Sequence, residues 1–145
     1  MRTSGSINVR DGVQNSPAAE PLPSILIVDD SHDAANILGS LFDAHGYKTY
    51  VAYDWEAALE TAKAHLPDVI LLDLGMPGMD GIHLARFIRE DEQLNGKVML
   101  AVTGYADEMH RAQCDAVGFD YVLPKPASWE DLKSTVDRLF QMRTC

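Results

Sequence analysis

Residues 25–33 read ILIVDDSHD: four apolar side chains in a row, then two adjacent acids. An apolar run without alternation predicts a strand buried on both faces, from Ile25 to Asp29. Asp29 and Asp30 stand where that strand emerges. Like charges side by side repel, and burying either one is costly without a compensating partner. Ser31 then caps a helix to about Ala44, with Ala35, Leu38, Leu41 and Phe42 spaced onto one face and Gly46 to end it.

The same unit repeats along the chain. Tyr47–Ala52 predicts a short strand, and Asp54 caps a second helix to about His65 whose apolar side is Ala57, Ala58 and Ala62. Pro67 interrupts, and Val69–Asp73 (VILLD) is a second strand of the doubly buried kind. Residues 74–81, LGMPGMDG, form a loop by their Gly and Pro content. A third helix covers Ile82 to about Glu90, and VMLAVT (Val98–Thr103) is a fourth strand. Ala106–Val117 predicts a fourth helix stopped by Gly118, and Tyr121–Leu123 a short fifth strand. Ser128 caps a last helix to about Met142, with Leu132, Val136, Leu139 and Phe140 facing inward. Residues 1–22 have no hydrophobic period and are expected to be a flexible tail, so the ordered domain spans 23–145.

The 145 residues suit one domain with a real core. The net charge is -10, and because Arg2, Arg10, Asp11 and Glu20 cancel in the tail, all of the excess lies in the domain. That balance excludes a basic nucleic-acid surface and disfavours an anionic membrane. Two cysteines, Cys114 and Cys145, make no disulfide framework and suit a reducing compartment. No apolar run approaches the roughly 20 residues of a membrane span, and residues 1–22 lack the apolar core of a secretory signal peptide, so a soluble cytoplasmic protein is expected.

Strand–helix alternation with continuously apolar strands predicts an α/β domain, a parallel sheet with helices on both faces. In such sheets ligands bind beyond the carboxyl ends of the strands. Asp29 and Asp30 end the first strand, Asp73 the third and Thr103 the fourth, and Lys125 follows the fifth. Each alone has an ordinary use: Asp30 as a helix cap, Asp73 as a turn former, Thr103 as a strand residue, Lys125 as a solvated surface charge. Together they project from one edge. Three carboxylates in one crevice call for a hard cation with oxygen ligands, and Mg²⁺ is the usual choice where phosphate is involved. Lys125 adds a point charge suited to a phosphoryl oxygen, Thr103 a hydroxyl, and Gly104 room for a tetrahedral group. A carboxylate nucleophile with metal, ammonium and hydroxyl describes phosphoryl transfer to Asp.

The chain resembles a response-regulator receiver domain over about residues 23–143. The pieces that carry the resemblance are LIVDDS (26–31), PDVILLDLGMPGMDG (67–81), AVTGYAD (101–107) and GFDYVLPKP (118–126). It implies a flavodoxin-like, doubly wound five-stranded parallel sheet, (βα)5, with strand order 2-1-3-4-5. It also implies roles: Asp73 as phosphoacceptor, Asp30 as direct Mg²⁺ ligand, Asp29 acting through water, and the Gly75 carbonyl as backbone ligand. Mn²⁺ is the alternative ion. Thr103 and Lys125 match the pair that follow the phosphoryl group, and Lys125–Pro126 matches a bond that is usually cis. Phosphorylation would come from a histidine kinase or histidine phosphotransfer protein. It would shift the surface around the fourth helix, fifth strand and last helix toward an unidentified protein partner. Hydrolysis of its own aspartyl-phosphate is implied, without turnover of an external substrate.

The chain departs from the family pattern at three places. Val122 stands three residues before Lys125, where an aromatic or His is common, and Tyr121 is offset by one and should face the other way. Pro124 removes a backbone donor directly before Lys125. Gly75, two residues after Asp73, leaves access for an attacking water or a partner. Other classes fit less well. A flavodoxin-like flavin binder needs a Ser/Thr-rich phosphate loop where DDSHDA places acids. An aspartate-based phosphatase wants D-x-D where this chain has D-D. A degenerate, phosphorylation-independent docking scaffold would not need the complete set of acids, Thr103 and Lys125. With no output module expected after Cys145, the receiver is either a stand-alone regulator or part of a hybrid kinase, which GFDYVLPKP resembles.

Overall fold

The computed structural model describes residues 22–74, 81–104 and 116–144. Strands β1 (Ser24–Val28), β2 (Lys48–Ala52), β3 (Val69–Asp73), β4 (Val98–Thr103) and β5 (Tyr121–Pro124) alternate with α1 (His32–Ala44), α2 (Trp55–His65) and α3 (Gly81–Glu90). A C-terminal helix, Trp129–Thr144, follows β5. All strand pairs are parallel, in the order β2-β1-β3-β4-β5. The fold inferred from the apolar runs and the resemblance is therefore the one found. The expected tail, except Leu22, most of the Gly-Pro loop and most of the helix expected over 106–117 lie outside the described residues. Ala116 and Val117 carry helical backbone, and Gly118 at φ 93° ends it.

The strands are apolar throughout because both faces are covered. Leu26, Val28, Ile70, Leu72, Met99 and Ala101 point to the side of α2 and α3. Ile25, Ile27, Leu71, Val98, Leu100 and Val102 point to the side of α1 and the C-terminal helix. Each large aliphatic side chain buried this way contributes about 1.5–3 kcal/mol.

Local chemistry starts the helices where the sequence indicates. Ser31 Oγ accepts from the Ala34 N–H at 3.3 Å, Asp54 Oδ1 from Ala57 N–H at 2.7 Å, and Ser128 Oγ from Asp131 N–H at 3.0 Å. One local expectation needs correction. Leu41 is 36% exposed, not part of the buried face. The buried stripe of α1 is Ala35, Gly39 and Phe42. Gly39 lets α1 lie against β2, since a Cβ there would sit 2.9 Å from Val51 Cγ2. The helix α2 ends at His65 as expected, and Leu66 closes it in a left-handed conformation (φ 49°) before Pro67, with no glycine to signal it. Among the described residues no helix is long and apolar enough to cross a membrane.

Candidate functional site

Parallel register sets where the polar residues leave the sheet. Val28 pairs with Leu72, so Asp29 stands level with Asp73, the last residue of β3. Thr103, the last residue of β4, pairs with Pro124, and Lys125 follows one step beyond. The ladder continues past the strand ends. Asp29 N–H donates to Ala52 O at 3.1 Å, Leu74 N–H to Val102 O at 3.0 Å, and Lys125 N–H to Thr103 O at 2.9 Å. These bonds fix the exit points of three site residues.

Asp73 is 6% exposed and Thr103 2%. A carboxylate so buried needs a counter-charge. Lys125 Nζ supplies it, donating to Asp73 Oδ2 at 2.5 Å across 52 positions of sequence. Asp29 is half-buried and Asp30 exposed. Burial pushes the Asp29 carboxyl above its usual range, and Asp73 pushes it further by its charge and a shared hydrogen bond. The Ser31 N–H, 2.9 Å from Asp29 Oδ1, and the charge of Lys125 oppose that rise. Among the described residues, acids outnumber the single ammonium at this edge, so it suits a hard cation. Among the described residues no three His, Cys, Asp or Glu side chains converge tightly enough to hold a metal unaided. Gly75, whose carbonyl is the implied further ligand, lies outside them. Among the described residues, a Cβ built on Gly104 would meet nothing within 4 Å.

The model of the response regulator receiver domain matches residues 25–137, which contain every one of these positions. The chain belongs to the response regulator receiver family. It is 30% identical over 105 residues to the polar-differentiation response regulator DivK of Brucella ovis, covering 72% of this chain and 85% of DivK. It is 32% identical over 120 residues to the transcriptional regulatory protein YxdJ of Bacillus subtilis, covering 80% of this chain. The chain spans about half the length of YxdJ, 51%. The chemotaxis response regulator CheY4 of Vibrio cholerae superposes with a TM-score of 0.76 at 29% identity, covering 81% of this chain and 98% of CheY4. Receiver domains are signalling modules of two-component systems, and this chain carries that module.

Two features of this receiver follow from strand alternation. Val122 is 8% exposed and packs in the core on the α2–α3 side, while Tyr121 is 44% exposed under the Arg138 guanidinium. No aromatic side chain occupies the Val122 position, as its sequence indicates. The Lys125–Pro126 bond is cis, as the resemblance implies. One feature had no sequence signal. Behind Asp73 and Lys125 a cavity of about 590 Å³ opens between α1 and the C-terminal helix, lined mainly by apolar side chains. Such a space depends on what distant elements leave unfilled, which no local pattern records.

Proposed function

We propose that this receiver accepts a phosphoryl group on Asp73 and relays its arrival through Thr103 and Lys125. The observation that carries the reading is the buried Asp73 carboxylate, level with Asp29 and bonded to Lys125 at 2.5 Å. An Asp73 carboxylate oxygen attacks the phosphorus of a phosphohistidine, on a histidine kinase or a histidine phosphotransfer protein. The P–O bond forms as the P–N bond breaks, and the departing imidazole takes a proton from solvent. Lys125 balances charge on the carboxylate and then on a phosphoryl oxygen, and the Thr103 hydroxyl donates to another. Asp30 and Asp73, the Gly75 carbonyl, and Asp29 through water would hold Mg²⁺ or Mn²⁺, which supplies further neutralisation of the phosphoryl charge. Water hydrolyses the acyl phosphate and returns Asp73 to carboxylate. Thr103 and Lys125 share a backbone hydrogen bond (Lys125 N–H to Thr103 O, 2.9 Å), so moving them biases the β4–β5 surface toward a protein partner. The reading places the domain in the cytoplasm, as a stand-alone regulator or as part of a hybrid kinase.

The test is intact-mass spectrometry after incubation with acetyl phosphate, with and without Mg²⁺, on the native chain and Asp73→Asn. The expected result is a Mg²⁺-dependent gain of one phosphoryl group, about 80 Da, absent from the variant. Amide chemical shifts of Thr103 and Tyr121–Lys125 should move with it. No gain in the native chain under any condition would overturn the reading in favour of a docking scaffold.

A further inference from the structure

The cavity of about 590 Å³ has a composition that phosphoryl transfer does not use. Ile27, Leu71 and Val102, nearly fully buried strand residues, form its floor. Leu38 of α1 and Leu132 of the C-terminal helix form its walls, and two small side chains, Ala34 and Ala127, leave it wide. An apolar cavity of about 150 Å³ already takes a benzene ring, and small-molecule sites span about 300–1,000 Å³. A space of about 590 Å³ therefore accommodates a fused ring system or a branched hydrocarbon of similar bulk. The polar groups sit together at one end: Asp29, Asp73 and Lys125. Among the described lining residues two acids stand against one ammonium, within a chain whose own net charge is -10. An anionic head group would meet repulsion, and a neutral one would leave the excess unanswered.

We propose that this cavity binds a small hydrophobic amine, with its hydrocarbon part seated between α1 and the C-terminal helix and its ammonium against Asp29 at the mouth. The head group then stands where the acids of the edge face a cation. Bound amine and bound Mg²⁺ exclude each other, and the amine opposes phosphorylation. This exclusion, unlike the binding itself, rests on the proposed role of Asp29 and Asp73.

The probe is 1-naphthylmethylamine, with 1-naphthoate as its anionic twin, titrated into the full chain and followed by methyl chemical shifts. The expected result is one saturable site at which the methyls of Ile27, Leu38 and Leu132 move together, about tenfold tighter than naphthoate. Ala127→Leu and Ala34→Leu, which fill the space, should each weaken binding by about tenfold or more. Mg²⁺ should raise the apparent Kd of the amine. No saturable binding up to about 10 mM would overturn the site. So would methyl shifts elsewhere in the native chain, or indifference to both filling variants if they fold. Equal binding of naphthoate would overturn the amine assignment, and indifference to Mg²⁺ the exclusion. The acetyl phosphate mass gain is read on aliquots of the same protein taken before any amine is added. Amine binding without any mass gain sinks the phosphoacceptor reading alone, and mass gain without amine binding sinks this one alone.

Discussion

The two edges of the sheet handle charge in opposite ways. At the N-terminal edge, Asp68 Oδ2 accepts from the Ser24 N–H at 2.9 Å and the Ser24 hydroxyl at 3.1 Å, while Ser24 Oγ accepts from the Asp68 N–H at 3.0 Å. Arg89 reaches from α3 with every guanidinium N–H engaged. Its partners are the carbonyls of Gly118, Asn95 and Lys97 and the Asp120 carboxylate, at 2.6–3.0 Å. The same Asp120 oxygen accepts from Met99 N–H at 2.8 Å. Tyr47, just before β2, donates from its hydroxyl to Asp137 of the C-terminal helix. At the C-terminal edge, among the described residues, Asp29 and Asp73 stand beside the Lys125 ammonium, and burial holds Asp29 above its usual titration range. One edge closes the fold. Among the described residues the other gathers acids whose mutual repulsion costs stability.

Four substitutions test this contrast. The largest effect is expected from Arg89→Met, which strands three carbonyls and the Asp120 carboxylate. Urea unfolding should show a loss of about 2–4 kcal/mol, while acetyl phosphate still loads Asp73. A loss below about 1 kcal/mol would mean that the N-terminal edge is not the anchored one. Asp68→Ala removes the acceptor of both Ser24 donors and should cost about 1–2 kcal/mol, again without touching phosphorylation.

Tyr47→Phe should cost about 1 kcal/mol at neutral pH. Burial, and then Asp137, push the Tyr47 phenol from 10.0 up to about 12. For an acid whose pKa is raised by folding, the stability is fully present below the unfolded value and is lost as pH rises through the folded one. The native chain should therefore lose stability between pH 10 and about 12, and the variant should show a flatter decline there. An unchanged slope would place the alkaline transition at another group.

Asp29→Asn should have the smallest effect and the opposite sign. Its folded pKa is also raised, so the associated stability is present below the ordinary aspartate value of 3.8 and is lost as pH rises through the raised value. Removing the charge should raise the melting temperature of the metal-free protein by about 1–3 °C at neutral pH and abolish that acid-side decline. If Asp29→Asn destabilised the metal-free protein, the C-terminal edge would not be the strained one.

Much of this molecule was legible before any coordinates. The apolar runs at 25–28, 69–72 and 98–102 announced strands covered on both faces, and Ser31, Asp54 and Ser128 announced where helices begin. Hydrophobic periodicity and capping depend on neighbours a few residues apart, so the sequence records them directly. Asp29, Asp30, Asp73, Thr103 and Lys125 could be assigned to one edge because parallel strands all end on the same side.

The rest required register and packing. Sequence placed Asp73 and Lys125 at one edge, and the tertiary structure brought them to 2.5 Å, buried Asp73 and Thr103, and left Asp30 exposed. It turned Leu41 outward because Gly39 brings α1 onto β2, and it set Leu66 in a left-handed conformation that its side chain does not favour. The Arg89 hub and the cavity beneath Lys125 were decided there as well. The residues that make them lie tens of positions apart in the chain. Their meeting is set by how layers of side chains fill space between elements, a property of the whole assembly that no local pattern carries.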